Sequence, residues 1–272
     1  AVLQKEVRER MLERLDLVKI DPQTILDAGS GTGQAGRLLQ KRYPDSHLVQ
    51  LDIALRMLEK SRAGPSIRNK INRLFGFPSS SAVCADIENL PLSGASVGLA
   101  WSNLAIQWCN DLDAAFAEMN RVLRPNGLFM FSTFGPDTLK ELRAAASGDG
   151  AHVHVNRFID MHDIGDALVR SGFSAPVLDV ENFVLTYDDV FGVMRDLKAI
   201  GAHNATEGRR RGLDGKGFLR SLAERYEPFR REGKLPATFE VVYGHAWKDE
   251  GRLHPEDGTA PITLHRRKPA AR

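Results

Sequence analysis

Leu26-Asp27-Ala28-Gly29-Ser30-Gly31-Thr32-Gly33 is the stretch whose reading decides the fold. Ile25 and Leu26 suit a buried parallel strand, Asp27 stands at its end, and Gly29, Gly31 and Gly33 let the backbone turn tightly and approach a ligand with no Cβ in the way. A strand that ends on an acid and turns through glycines into a helix points to a bound nucleoside. A dinucleotide's pyrophosphate is drawn to bare N–H groups at a helix N-terminus. A carboxylate at the strand end repels it and suits a cationic amino group instead, and S-adenosylmethionine carries both an ammonium and a sulfonium. The glycines also support a rival, because Gly31-Thr32-Gly33-Gln34-Ala35-Gly36 satisfies G-x-G-x-x-G. A purely structural tight turn would use the same residues.

Outward from this turn, strands and helices alternate. Apolar residues recur at helical spacing from Val2 to Leu17. Strands are expected at Thr24 to Ala28, His47 to Asp52, Ala82 to Ala85, Val97 to Trp101 and Gly127 to Thr133. Helices are expected up to Tyr43-Pro44, over Ala54 to Arg62, and over Asp111 to Leu123 before Pro125. Gly64 to Ser81, with Arg68, Lys70 and Arg73, is long for a connection. This rhythm, without repeats, predicts an α/β fold built on a Rossmann-like doubly wound sheet. After Pro136 the rhythm changes to helices over Asp137 to Ala146 and Asp160 to Ser171, a strand over Pro176 to Tyr187, helices over Asp188 to Gly201 and Lys216 to Arg231, and a last strand over Thr238 to Trp247. The expected division is a cofactor-binding core over 1–136, a helical lid and substrate region with the sixth strand over 137–235, a final core strand over 236–247 and a disordered tail over 248–272.

Composition narrows the class. At 272 residues and 42% hydrophobic content the chain can bury a full core, and a net charge of +2 implies no general polyanion binder. Cys84 and Cys109 lack C-x-x-C spacing, so neither a disulfide framework nor a zinc site is suggested. With no apolar run long enough for a membrane span and a charged N-terminal stretch, a monomer of the reducing cytoplasm, away from membranes, is expected. The chain opens on Ala1 rather than Met, so an upstream segment is expected.

Three further signals follow in order. Asp52, nineteen residues after Gly33, ends the second strand, where a carboxylate accepts both ribose hydroxyls, with Ile53 beside it. Asp86 ends the third strand and can accept the exocyclic amine of adenine while Ile87 covers the ring; the alternative for Asp86 is a helix cap. Trp101-Ser102-Asn103-Leu104-Ala105-Ile106-Gln107-Trp108 lies at the carboxyl end of the fourth strand, where open α/β sheets bind ligands. Backbone carbonyls of Ser102 or Asn103 there can take a methionine ammonium, beside Leu104, while Trp101 and Trp108 can equally be core aromatics. Together with the glycine turn this set resembles the class I adenosylmethionine-dependent methyltransferases. The resemblance implies seven strands with the last antiparallel, an inserted helical lid, S-adenosyl-L-methionine as cofactor and S-adenosyl-L-homocysteine as product.

More specific blocks follow: Ser102 to Cys109, Phe131-Ser132-Thr133-Phe134-Gly135-Pro136-Asp137-Thr138-Leu139-Lys140-Glu141-Leu142, Asn156-Arg157-Phe158, and Val241-Val242-Tyr243-Gly244-His245-Ala246-Trp247. They resemble the malonyl-acyl-carrier-protein O-methyltransferases of biotin synthesis, from the N-terminal helix to about Trp247. The resemblance implies esterification of the free carboxylate of a malonyl thioester on acyl carrier protein. Members of that family carry an N-terminal Tyr that helps close the cofactor site, and this chain begins after the place for it.

The chemistry is consistent with the residues. A carboxylate of pKa about 4 is already ionised at neutral pH, so no general base is expected, only in-line placement and exclusion of water. Arg157 is the candidate to grip the acid with two parallel hydrogen bonds, beside Gln107, Trp108 and Phe158 as substrate-binding residues. His152 and His154 are given no catalytic role. From Arg195 to Lys234 there are eleven Arg or Lys against six Asp or Glu. Arg209, Arg210, Arg211, Lys216 and Arg220 are therefore candidates to steer an acidic carrier protein. No aromatics interleave with them, which argues against nucleic acid. No metal is expected; Asp188 and Asp189 read as a helix start. Two alternatives stay open. One is a protein arginine hydroxylase, since a mitochondrial complex I assembly factor resembles Phe134 to Arg143. The other is a non-catalytic binding module, disfavoured by the intact Asp27, Asp52 and Asp86.

Overall fold

A computed structural model describes residues 2–62, 80–146, 158–199 and 216–250. Seven strands, β1 (Thr24–Ala28), β2 (His47–Asp52), β3 (Ser80–Cys84), β4 (Val97–Asn103), β5 (Leu123–Phe134), β6 (Phe173–Tyr187) and β7 (Leu235–Lys248), form one sheet. Their order is β3-β2-β1-β4-β5-β7-β6. The first five are parallel, and β7 enters between β5 and β6 antiparallel to both. The α/β sheet with an antiparallel last strand is thus as expected. Ile25, Leu26, Ala28, Leu99, Ala100 and Trp101 are completely buried, which is why β1 and β4 are rich in apolar residues: parallel strands are covered on both faces.

The described α-helices are α1 (Val2–Asp16), α2 (Gln34–Arg42), α3 (Leu55–Arg62), α4 (Leu112–Val122), α5 (Lys140–Ala146), α6 (Met161–Arg170), α7 (Val190–Ala199) and α8 (Lys216–Tyr226). One face of the sheet is covered by Leu3, Val7, Met11 and Leu15 of α1 with Leu39 of α2, Leu142 of α5, Val193 of α7 and Leu222 of α8. The other is covered by Phe116 and Met119 of α4 and by Ile164 and Leu168 of α6, packed against Phe129 and Phe131. Burial of each such side chain contributes about 1.5–3 kcal/mol. Side-chain caps start two of these helices: Asp111 accepts the Ala114 N–H at 2.9 Å, and Asp160 accepts the His162 N–H at 2.8 Å.

The helix expected over Asp160 to Ser171 in the lid is α6, and it packs into the sheet's second layer beside α4, where Arg170 meets Asp113 at 2.9 Å. Strand β5 begins four residues before Gly127, because Leu123 pairs with Val97 across an irregularity in register. Phe131 faces Gly244 and Ser132 faces Tyr243 across β5 and β7, and a Cβ at Gly244 would collide with the Phe131 ring. The blocks Phe131 to Leu142 and Val241 to Trp247 are therefore neighbours in space. Glu141 strengthens the join from α5, accepting the Thr238 N–H at 3.0 Å and the Thr238 hydroxyl at 2.5 Å. Most of Gly64 to Ser81 and all of 251–272, the bulk of the expected tail, lie outside the described residues.

Candidate active site

The turn after β1 is held by its neighbours. Gly29 and Ser30 donate their N–H groups to the Leu51 carbonyl at 2.8 and 2.9 Å, and Gly31 donates to Asp52 Oδ2 at 2.8 Å. Asp52 Oδ1 accepts the Ala54 N–H, also at 2.8 Å. Gly29, Gly31 and Gly33 all adopt positive φ, of 75°, 53° and 71°, a region glycine enters without penalty. Their surroundings differ. A Cβ on Gly29 would strike Ala105, and one on Gly33 would strike Ser61, whereas Gly31 has open space around it. The expectation that all three clear room for a ligand is corrected: only Gly31 faces open space, while Gly29 and Gly33 let protein pack against protein.

Asp27 is 1% exposed. Burial pushes its carboxyl up to about 7, the nearby Asp52 carboxylate adds to the rise, and the Gly36 N–H and the Arg8 guanidinium pull against it. Its Oδ2 has no hydrogen-bond partner among the described residues. Arg8, on the buried stripe of α1, donates to Gln34 Oε1 at 2.9 Å and leaves its own buried Nε unpartnered among the described residues. Sequence reading passed over Arg8; the available signal was a cation on a helical stripe otherwise made of Leu3, Val7, Met11 and Leu15.

Asp86 lies two residues beyond the end of β3, not at it, and no helix follows. Its Oδ1 accepts the Glu88 N–H at 3.0 Å and its carbonyl accepts the Asn89 N–H, which makes a turn of the segment. Ile87 reaches to the Gly29 turn, where a Cβ on Gly29 would lie 3.9 Å from its Cδ1. Ile53 is 72% exposed beside Asp52. Trp101 is wholly buried and is a core aromatic.

At the end of β4, Ser102 is buried, Asn103 Oδ1 accepts the Ser132 hydroxyl at 3.0 Å, and the Leu104 N–H donates to Ser132 Oγ at 3.0 Å. Leu104 has φ +50°, a strained conformation of the kind found at ligand sites. Ser132 on the neighbouring strand fastens it in place. Gln107 is fixed at both ends, donating to the Leu104 carbonyl at 2.8 Å and accepting from Thr133 Oγ1 at 3.4 Å.

Beside it a cavity of about 130 Å³ opens among Ile106, Gln107, Thr133, Phe134, Phe158 and Ile164, with Cys109 on its wall. Phe134 and Phe158 meet edge to face at 5.4 Å between centroids. Burial pushes the Cys109 thiol up to about 12, with Glu88 and Asp86 adding to it, so it stays protonated and is no nucleophile. Gln107 and Phe158 thus share one cavity of mixed polar and apolar lining at the carboxyl ends of β4 and β5. Trp108 is half-exposed and not part of its lining.

Arg157, His152, His154, Arg209, Arg210 and Arg211 lie outside the described residues, as does the side chain of Lys216. Arg220 is paired with Glu224 at 3.2 Å, which reduces its value as a free cation for steering. Asp189 accepts the Gly192 N–H at 2.7 Å at the start of α7, the helix-start role expected, whereas Asp188 instead holds Lys234 in an ion pair. Among the described residues no three metal-ligating side chains cluster, and no helix is long and apolar enough to cross a membrane.

Residues 26–131 match the methyltransferase domain family. The chain is 66% identical over 267 residues to malonyl-acyl-carrier-protein O-methyltransferase of Methylovorus sp. (strain MP688), covering 98% of this chain and 89% of that protein. It is 57% identical over 262 residues to the protein of the same name from Gallionella capsiferriformans (strain ES-2), covering 96% and 89%. The crystal structure of the YcgJ protein of Bacillus subtilis superposes with a TM-score of 0.57 at 17% identity, covering 89% of this chain and 98% of that one, a likeness of fold. At that identity over nearly its whole length, the chain belongs to the malonyl-acyl-carrier-protein O-methyltransferase family.

Proposed function

We propose that this chain transfers a methyl group from S-adenosylmethionine to the free carboxylate of a malonyl group on acyl carrier protein, leaving S-adenosylhomocysteine and a malonyl methyl ester. The observation that carries the reading is the extent of the match to relatives of that name, 98% of the chain at 66% identity, well beyond the glycine turn that many methyltransferases share. The same names favour it over the arginine hydroxylase and dinucleotide readings.

The residues around the turn fit the donor. Gly31 leaves open space for it. Asp27 keeps a buried, unpartnered carboxylate oxygen, an arrangement that favours a cation nearby. Asp52 accepts one backbone N–H on each oxygen and retains lone pairs for ribose hydroxyls. Ile53, Asp86 and Ile87 are assigned to the adenine side, and Ser102, Asn103 and Leu104 to the methionine end. When bound, the donor supplies an electrophilic methyl on a positively charged sulfur.

What the chain itself contributes is placement. The acceptor carboxylate arrives ionised, so no side chain has to remove a proton. Phe134 and Phe158, on the cavity wall, are assigned the exclusion of water, and Gln107, immobilised by Leu104 and Thr133, presents a fixed amide edge to it. Arg157, which directly precedes Phe158 in the chain, is assigned the grip on the malonyl carboxylate. No metal is assigned a role, and the enzyme is placed in the cytoplasm as a monomer. Incubation with adenosylmethionine and malonyl-carrier protein, read by intact mass, should add one CH2 to the carrier. No mass gain from protein that binds adenosylmethionine would overturn the acceptor.

A further inference from the structure

Helix α7 buries Val190, Val193 and Leu197 against the sheet. It turns Phe191, Met194, Arg195 and Lys198 outward, the i, i+3, i+4 and i+7 positions of a single face. Phe191 is 50% exposed and Met194 39%, so two large apolar side chains stand in water beside two cations.

The nearby acids are turned elsewhere. Asp196, on the same helix, accepts the Tyr187 hydroxyl at 2.9 Å, Asp189 caps the helix start, and Asp188 holds Lys234 at 2.5 Å. Of the other cations in this part of the chain, Arg220 pairs with Glu224 and Arg230 with Glu227, while Arg231 donates to the Arg230 carbonyl. Arg225 donates to the Ala145 carbonyl and to Ser221 Oγ. Among the described residues Arg195 and Lys198 form no ion pair, so free positive charge and bare apolar surface coincide on α7.

The topology puts this helix on the ligand-binding edge of the sheet. Strand β5 ends at Phe134, opposite Val241, while β6 continues to Tyr187, opposite Leu235. Strands β6 and β7 therefore project six residues past the end of β5, roughly 20 Å at about 3.3 Å per residue. Helix α7 begins three residues after Tyr187, at the end of that projection and beyond the cavity at the ends of β4 and β5.

We propose that this face of α7 is the docking surface for the carrier protein. Carboxylates on an acidic helical face of the carrier meet Arg195 and Lys198, and apolar residues of the carrier cover Phe191 and Met194. The carrier's flexible acyl arm then spans from α7 back to the cavity. This rests on the reading that the acceptor is held on an acyl carrier protein, and it moves the electrostatic focus away from Arg209, Arg210, Arg211, Lys216 and Arg220.

Two double variants test it, Arg195→Glu with Lys198→Glu and Phe191→Ser with Met194→Ser. Each is assayed for methylation of malonyl-carrier protein, and binding of the unacylated carrier is measured by calorimetry, with adenosylmethionine affinity and thermal unfolding as checks on the fold. The expected result is a rise of tenfold or more in carrier KM and Kd, kcat at saturating carrier within about twofold, and unchanged adenosylmethionine affinity, as steering and docking charges act mainly on association. Carrier KM and Kd within twofold of the unmodified enzyme in both variants would overturn the docking surface and leave the acceptor reading standing. Unmodified protein that binds adenosylmethionine but neither binds nor methylates the carrier overturns that reading, and the docking surface with it. If charge reversal impairs folding, Arg195→Gln with Lys198→Gln is judged by the same two constants.

Discussion

Asp52 Oδ2 accepts the backbone N–H of Gly31 at 2.8 Å, so a single carboxylate at the end of β2 clasps the glycine turn that follows β1. Its second oxygen accepts the Ala54 N–H. The residue assigned to the ribose therefore also shapes the loop that would meet the ligand. Replacing Asp52 with Ala removes the acceptor of two backbone donors, one partly buried and one exposed, a loss of about 0.5–1.5 kcal/mol for each such bond. The expected outcome is a lower unfolding midpoint together with at least tenfold weaker adenosylmethionine binding by calorimetry. Wild-type affinity in Asp52→Ala would reduce Asp52 to a scaffold residue.

The glycines of the turn should respond unequally to alanine. Gly29→Ala brings a Cβ onto Ala105, whereas Gly31→Ala meets no atom and carries only the left-handed backbone strain, about 1–2 kcal/mol. Gly29→Ala should therefore unfold at a lower temperature than Gly31→Ala, and Ala105→Gly should recover part of the loss in the first variant and none in the second. Gly31→Ala should instead show its main defect in ligand affinity. Equal midpoints for the two single variants would contradict the steric account.

Asp27 makes stability depend on pH. Its folded pKa is raised from 3.8 to about 7 by burial, so the folded state holds the proton more tightly than the unfolded chain. The contribution is fully favourable below the unfolded value, is lost as pH climbs toward 7, and leaves a penalty above it. Between pH 5 and pH 8 the unliganded enzyme should lose stability relative to Asp27→Asn, which has no such titration. A cation beside the carboxylate reverses the preference: adenosylmethionine should bind more tightly at pH 8 than at pH 6, and Asp27→Asn should lose that dependence. Parallel pH profiles for wild type and variant, in melting and in affinity, would remove Asp27 from both roles.

Arg157→Ala should lower kcat/KM for malonyl-carrier protein by about a hundredfold, the effect of losing a charge-assisted pair worth roughly 3 kcal/mol, with adenosylmethionine affinity within twofold. Arg157→Lys should recover part of the activity, since an ammonium keeps the charge without the two-pronged geometry. Unchanged turnover in Arg157→Ala would transfer the carboxylate grip to another residue.

Strands β1 and β2 were legible to the residue because Ile25-Leu26 and Leu48-Val49 supply the apolar content of a strand covered on both faces, and the turns after Ala28 and Asp52 mark their ends. The family blocks were legible as strings, but their reason was not. Phe131 and Gly244 belong together because Gly244 leaves room for the Phe131 ring across two antiparallel strands, and no local spacing encodes a partner 113 positions away. The same limit explains Leu104, whose strained backbone depends on Ser132 of the next strand, and Arg8, whose value comes from the approach of α1 to Asp27 and Gln34.

Sequence alone determined the class of sheet, the strand, turn and helix around Asp27, and the family, because these rest on apolar periodicity, glycine and identity along one dimension. Tertiary structure decided which glycine is open and which cations are free. Gly29 and Gly33 are closed by Ala105 and Ser61, and Lys234 is neutralised by Asp188, while Arg195 and Lys198 are left over. Steric room and charge pairing are properties of distances in space, and those distances exist only once the sheet has brought remote segments together.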